Sequence, residues 1–488
     1  MVVNSFSFLL FFILVFVVYF LPVSRKSTRF QNTWLLLVSY FFYGYTDWRM
    51  IPLLLGATVL FYIVGAWLRS EMDKGHTKNA SRITSLGVIL GIGILIYFKY
   101  LNFFADSFAD LLQAIGFRVS WNTLNIILPI GVSFFTFKLI SYIIEIHREH
   151  IQPSASLIDF ATYISFFPTI LSGPIDRPDQ FLPQLRKVHT LDYPLAVDGC
   201  RQILWGMFTK MCIADNLAMI TDQAWTGYSS LSSISLLIAA LLYPIQLYAD
   251  FDGYSNMAIG VGKILGFNVA RNFNHPFLAR NMAEYWRRWH MSLTSWITDY
   301  VFMPLNIAFR EIGNWGIALA AIINLLVIGL WHGANWTYGV FGLYHGLLFI
   351  PLVFSGTFGK RKKLKPNGHG LPIAKDLMKM LATFGLVAIG HVIFRAPTIG
   401  QACDFLAAIF TNGMTGPSII DNYGKLHCMF AILLLILEWM QRDKEHALQL
   451  SQTSLFRQRV IRWSLYLFLI LVIITFTGQS QAFIYFQF

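Results

Sequence analysis

Apolar runs of nearly membrane-spanning length, separated by short polar breaks, follow one another along almost the whole chain. They lie near 6–23, 30–45, 50–68, 84–104, 123–146, 157–175, 200–220, 231–249, 314–330, 336–354, 376–395, 425–440 and 462–477. A helix needs about 20 apolar residues to cross the hydrocarbon core, so the pattern predicts an all-α polytopic membrane protein with about 11 to 13 transmembrane or re-entrant helices. Pro129, Pro168, Gly173 and Pro244 interrupt several of the runs. Broken helices are tolerated in a bilayer only where protein surrounds the freed backbone groups. The first run has no basic stretch before it and no small-residue cleavage site after it, so it reads as a retained helix and not a signal peptide.

Composition agrees with the pattern. Hydrophobic residues make up 56% of the 488 and charged residues 13%, with a mean hydropathy of +0.56. Length alone would suggest several soluble domains; this composition excludes them. The net charge of +12 raises nucleic acid as a partner, but its location argues against that. Basic residues gather in "SRKSTR" (24–29), "GKRKKLK" (359–365) and "QRDKEHALQLSQTSLFRQRVIR" (441–462), which the positive-inside rule places in the cytoplasm against anionic lipid. The loops at 46–50 and 411–424 and the C-terminal "FIYFQF" then face outside. Cys200, Cys212, Cys403 and Cys428 have neither paired nor metal-type spacing. With no repeat and no linker, the expected organisation is a single membrane domain over 1–488: N-terminal helices to 120, a core over 121–350 and C-terminal helices over 351–488.

Ionisable residues inside apolar surroundings are costly in a bilayer and mark function by default. One concentration is residues 250–304, with Asp250, Asp252, Arg271, His275, Arg280, Glu284, Arg287, Arg288, His290 and Asp299. Asn281 with Glu284 makes a capping-box pattern. In the helix expected next, Trp286, Trp289, Leu293 and Trp296 recur at helical spacing as one aromatic face. An interfacial helix with snorkelling arginines explains "EYWRR"; it explains His290 and "DFDGYSN" less well.

The second concentration is "WHGANWTYGVFGLYHG" (331–346). The apolar run at 316–330 delivers His332, and Gly333 then breaks the helix. A structural histidine is the bland reading; Trp331, Asn335 and Trp336 as polar and aromatic neighbours, and His290 upstream, favour chemistry. His345 is explained by packing along the next helix. No local ligand pair supports a metal site. A partly desolvated imidazole is biased to its neutral form and can accept a proton from an attacking hydroxyl.

Six stretches in order, "LPIGVSFFTFKLISYIIEIHR" (128–148), "FFPTILSGPIDRPDQFLPQL" (166–185), "DFDGYSNMAIGVGKILGF" (250–267), "EYWRRWHMSLTSWITDYVFMPL" (284–305), "WHGANW" (331–336) and "FIYFQF", resemble the membrane-bound O-acyltransferase family. Within it they are most similar to the bacterial branch that includes the alginate and peptidoglycan O-acetylation membrane proteins. The resemblance implies helices ringed around a funnel, with His332 the essential histidine and His290 its second polar residue. It also implies acetyl transfer from cytosolic acetyl-CoA, as co-substrate and with no bound cofactor, across the bacterial inner membrane. The acetyl group would pass to an extracytoplasmic acetyltransferase partner that esterifies a polysaccharide. Asn335, Trp331, Trp336, Arg287, Tyr254 and Asp252 are the expected substrate-binding residues. Whether His332 acts as base or as transient acyl carrier stays open. Where the family pattern has Arg after "SWI" this chain has Thr298, and where it is glycine-rich after "MPL" this chain reads "NIAFRE", so no donor contact carries over there. The alternatives are D-alanyl transfer from a carrier-protein thioester to teichoic acid, and a transporter, which would more typically show repeated halves with paired broken helices.

Overall fold

The coordinates are a computed structural model describing residues 1–117, 126–360, 370–420, 422–450, 458–477, 481, 483 and 484. Parts of the 123–146 run, of the loop at 411–424, of the basic stretches at 359–365 and 441–462, and of the C-terminal 483–488 lie outside the described residues. The described residues are helical and contain no β-strand. They form two compact units, Met1–Cys200 with Ala258–Ala270, and Arg201–Met257 with Arg271–Phe488.

The first unit contains α1 (Phe6–Tyr19), α2 (Thr28–Asp47), α3 (Ile51–Asp73), α4 (Thr77–Leu95), α5 (Leu101–Ala114), α6 (Val132–His147), α7 (Leu157–Ser165) and α8 (Pro178–Leu185). Serine caps start several of them: Ser5, Ser27 and Ser156 each accept a backbone N–H of the first turn, which satisfies one of the orphan donors of a helix start. All but two residues of α6 are buried, polar Ser133, Thr136, Lys138, Ser141 and Glu145 among them. It begins at Gly131, where φ is +77° and a Cβ would strike the Ile170 carbonyl; only glycine suits that position. Within this core Lys138 Nζ donates to Thr169 Oγ1 at 3.0 Å and to the Tyr163 carbonyl at 3.3 Å. Asp176 Oδ2 lies 4.0 Å from it.

α9 (Tyr193–Met207), α10 (Asp215–Gly227) and α11 (Ser233–Leu265) follow. The second unit then adds α12 (Met282–Trp286), α13 (Met291–Ile297), α14 (Met303–Ala308), α15 (Gly313–His332), α16 (Trp336–Leu347), α17 (Ile350–Phe354), α18 (Ala374–Arg395), α19 (Ile399–Thr411), α20 (Asn422–Met440) and α21 (Arg459–Phe476).

Among the described residues, eight helical segments are long and apolar enough to cross a membrane: Thr28–Asp73, Thr77–Ala114, Tyr193–Gly227, Ser233–Leu265, Arg310–His332, Trp336–Phe354, Ala374–Arg395 and Arg459–Phe476. The chain is a polytopic membrane protein. The count differs from the number of apolar runs for identifiable reasons. The runs at 30–45 and 50–68 join through a short 3₁₀ turn at Trp48–Met50 into one 46-residue segment. The run at 157–175 stops as helix at Ser165, ahead of Pro168, because the residue before a proline is disfavoured in the helical region.

Candidate active site

Asn281 caps α12 as its spacing suggested, its Oδ1 accepting the Glu284 N–H at 2.8 Å. The Glu284 carboxylate reaches Arg280 and Arg288 instead of the cap, accepting from the Arg280 N–H at 3.1 Å and from Arg288 Nη2 at 3.0 Å. The single helix expected after it is two. α12 ends at Trp286, α13 starts at Met291, and His290 between them has φ +43°. The cause is a competing backbone pairing: the Met291 N–H donates to the Asn272 carbonyl at 2.7 Å and the Asn274 N–H to the Arg288 carbonyl at 3.0 Å. Trp286, Trp289, Leu293 and Trp296 are all buried but do not form one continuous helical stripe.

α15 delivers His332 at its last residue and Gly333 ends it; a Cβ at Gly333 would strike the Tyr338 ring. The two histidine rings stand 6.4 Å apart, centroid to centroid. Trp331 lies 5.5 Å from His290 and 5.2 Å from His332. Phe251 packs on His290 at 4.6 Å and Phe394 on His332 at 5.1 Å. His290 is 0% and His332 3% exposed. Burial holds the His290 imidazole well below its ordinary pKa, so it is neutral at physiological pH. His345 is tied by packing and one bond, the Trp286 Nε1–H donating to its Nδ1 at 3.1 Å.

A cavity of about 440 Å³ is lined by residues of the same two helices, though by neither imidazole. One wall is Met291, Thr294, Ser295 and Thr298, which follow His290 along and just past α13. The facing wall is Ala321, Asn324 and Leu325 of α15, which ends on His332. Ala321, Leu325, Ile328 and His332 recur at 4, 3 and 4 residue steps, one stripe of a helix surface. Both walls therefore carry a histidine at the end of their helix. Arg287 also lines the cavity, with Phe349, Phe358 and Gly359; its Nη1 donates to the Phe358 carbonyl at 3.2 Å.

The polar run "DFDGYSN" on α11 divides among several sites. Phe251 faces His290. Asp250 pairs with Lys210, which also bonds Asp215 at 2.7 Å; the second oxygen of Asp250 accepts the Ile484 N–H at 3.0 Å. Tyr254 stacks on Phe483 at 4.8 Å, and Phe483 lies 5.8 Å from Phe251. Asp252 accepts from Asn256 Nδ2 at 2.7 Å and lines a separate small cavity with Arg271, His275 and Glu438. The structure thus gathers His332, His290 and Trp331, puts Arg287 on the cavity wall and links Tyr254 to His290 through the rings of Phe483 and Phe251. Asp252 goes elsewhere. Asn335 is the α16 cap, accepting the Thr337 N–H at 3.0 Å and donating to the Pro397 carbonyl at 2.9 Å, and Trp336 is 58% exposed. Sequence reasoning missed Phe251, Phe394, Lys210 and Asn324. The one signal available for Asn324 was its amide inside an otherwise apolar run. Among the described residues, no group of three or more His, Cys, Asp or Glu could hold a metal ion.

Eight membrane-length segments among the described residues define a polytopic membrane protein, and its second unit buries an imidazole pair. A sequence profile of the membrane-bound O-acyltransferase (MBOAT) family matches residues 41–388, and the chain belongs to that family. It is 38% identical over 411 residues to the "probable alginate O-acetylase AlgI" of Pseudomonas aeruginosa, covering 82% of this chain and 74% of the relative. It is 28% identical over 522 aligned positions to the peptidoglycan O-acetyltransferase of Helicobacter pylori, covering 96% and 94%. A teichoic acid D-alanyltransferase from Bacillus subtilis is 32% identical over 280 residues, 55% of this chain and 69% of the relative. The chain is an O-acyltransferase.

Proposed function

We propose that this protein transfers acetyl from cytosolic acetyl-CoA, across a bacterial inner membrane, toward O-acetylation of an extracytoplasmic polysaccharide. The polysaccharide is alginate, peptidoglycan or another exopolysaccharide, and a partner acetyltransferase outside completes the ester. The observation that carries this reading is the His290–His332 pair, rings 6.4 Å apart, at the ends of two helices whose other residues line the cavity. The cavity side bearing Phe358 and Gly359 adjoins the basic stretch that charge bias assigns to the cytoplasm, the side from which an acyl thioester arrives. The relatives named for O-acetylation match over most of this chain, and the D-alanyl relative over little more than half.

His332, the base, takes the proton of the attacking hydroxyl; the oxygen bonds to the acetyl carbonyl carbon, the C–S bond breaks and the proton passes to the departing thiolate. A second route uses His332 itself as the nucleophile, with an acyl-imidazole between two transfers. His290, neutral and enclosed by Phe251 and Trp331, packs its ring beside that of His332. Arg287 supplies a cation on the cavity wall for the donor's phosphate. Trp331 completes the wall around the pair.

The test is release of free CoA thiol from acetyl-CoA by the purified protein in liposomes, with wild type and His332→Ala compared. Turnover in wild type that the substitution abolishes supports acetyl-CoA as donor and His332 as chemical. Equal turnover in both removes His332 from the mechanism. Turnover only with a carrier-protein thioester transfers the reading to D-alanyl chemistry.

A further inference from the structure

His290 holds a left-handed backbone, φ +43°, which a residue with a Cβ rarely adopts and which its surroundings must impose. A turn with no further duty would be served better by glycine. The ring contacts of His290 show where the bend points it: to Phe251 of α11 at 4.6 Å, to Trp331 of α15 at 5.5 Å and to His332 at 6.4 Å. One side chain joins the elements on either side of the bend. Asn272 Oδ1 accepts from Ser292 Oγ at 2.6 Å, and Asn272 Nδ2 donates to Ser255 Oγ on α11 at 2.9 Å. The carbonyl of the same residue accepts the Met291 N–H at 2.7 Å. Asn272 is 0% exposed, and Ser255 and Ser292 are buried, so bulk water is not at hand to replace a lost partner.

We infer that Asn272 is a positioning residue for the histidine pair: by tying Met291 and Ser292 to Ser255 of α11 it sets the bend at His290 and holds that imidazole beside His332. The inference rests on the reading of the pair as the chemical centre. Its bonds fall on the two residues that directly follow His290. On the preceding side the Asn274 N–H donates to the Arg288 carbonyl at 3.0 Å, and Arg288 Nη1 donates to the Asn274 carbonyl at 3.1 Å. The bend is therefore gripped from both ends by the segment that carries Asn272. An amide suits the place because it accepts from one serine and donates to the other; aspartate lacks the donor and leucine lacks both. Phe251 and Ser255, four apart, share a face of α11. That face supplies both the ring against which His290 packs and the hydroxyl that takes the Asn272 amide hydrogen, so release of the amide frees the imidazole to shift on the surface it packs against. Asn272 acts through His290 and touches no reacting atom.

The experiment reads the histidines directly, by diethylpyrocarbonate labelling of the full-length protein in detergent and mass spectrometry of the peptides that carry His290, His391 and His427. All three are buried and should label slowly in wild type. Asn272→Ala should speed labelling of His290 about tenfold, the equilibrium worth of one to two neutral hydrogen bonds, and leave His391 and His427 at their wild-type rates. Ser255→Ala and Ser292→Ala each remove one of the two side-chain bonds and should speed it about threefold; they carry the test if Asn272→Ala fails to fold. Unchanged His290 labelling in the serine variants, or a rise shared by all three histidines, overturns the assignment. The second readout is acetyl-CoA turnover. Asn272→Ala should lower kcat about tenfold, the same free energy read in the barrier, with KM within twofold, and should add nothing in a His290→Gln background, where the residue it acts through is gone. A fall of equal size in both backgrounds makes Asn272 structural and overturns the role. Labelling needs no substrate, so the two failures differ. Unchanged His290 labelling removes Asn272 alone, whereas selective His290 labelling with turnover untouched by His332→Ala removes the chemical reading of the pair and the positioning role with it.

Discussion

Two buried clusters of the second unit are both built on the polar run of α11, and they answer the cost of burying ionisable groups in opposite ways. Lys210 is enclosed by charge, with Asp215 and Asp250 against its ammonium. His290 and His332 are enclosed by the rings of Phe251, Trp331, Phe394 and Phe341. A lysine enclosed by carboxylates depends on them, and removing one member strands buried charge. Burial holds the ring-enclosed imidazole of His290 neutral, the state that can take up a proton. The first arrangement also anchors backbone, the Ile484 N–H donating to Asp250; the second is the one the proposed mechanism uses as proton acceptor.

The comparison breaks most easily at its chemical end. His332→Ala should lower acyl transfer by about 10²–10⁴-fold, the usual contribution of a positioned proton acceptor, while thermal unfolding in detergent moves little. A large fall in melting temperature with a matching fall in soluble yield would instead make His332 a packing residue. Lys210→Met should show the reverse profile. It leaves Asp215 and Asp250 buried without their cation and should destabilise by about 3–5 kcal/mol, read as a lowered unfolding temperature, with activity falling only in proportion to folded protein. Lys210→Met that unfolds normally yet is inactive would move the ion cluster into the catalytic machinery.

His290 sharpens the comparison through pH. Because its folded pKa is depressed, the unfolded chain binds the extra proton first as pH falls. Its contribution is complete above the unfolded value near 6.5 and is lost progressively below it, about 2 kcal/mol by pH 5. Wild type should therefore lose more thermal stability between pH 7 and pH 5 than His290→Gln, which has no such group. Identical losses in the two proteins would mean that His290 takes up its proton in the fold as readily as in the unfolded chain.

The sequence made the helix ends legible where one local signal sufficed. Asn281 capping, the stop at Gly333 and the delivery of His332 by α15 were all readable, because each depends on a few neighbouring residues. The aromatic face of Trp286, Trp289, Leu293 and Trp296 was misread as one helix, because the break at His290 is imposed by backbone bonds from Asn272 and Asn274, which no periodicity reveals. "DFDGYSN" was legible as functional but not as divided: residues two and four apart on α11 meet different partners, and only the tertiary arrangement assigns Asp250 to Lys210 and Asp252 to the Arg271 cluster. Asn324 escaped notice because one amide in an apolar run carries no pattern.

Asn335 gives the smallest effect and the closest contest between the two levels of reading. Its place in "WHGAN" made it a substrate-binding residue by sequence. In the fold its Oδ1 accepts the Thr337 N–H and its Nδ2 donates to the Pro397 carbonyl, so both ends of the amide are engaged by backbone. Asn335→Ala should then cost about 1 kcal/mol, the value of a helix cap, and acyl transfer per folded molecule should stay within about twofold, since a change of 0.4 kcal/mol in a barrier is already about that size. Asn335→Asp keeps the Thr337 bond but loses the donor to Pro397, and should fall between wild type and alanine in thermal stability. A loss of transfer in Asn335→Ala approaching that of His332→Ala, with stability intact, would return Asn335 to the substrate and make the cap a consequence of its position there.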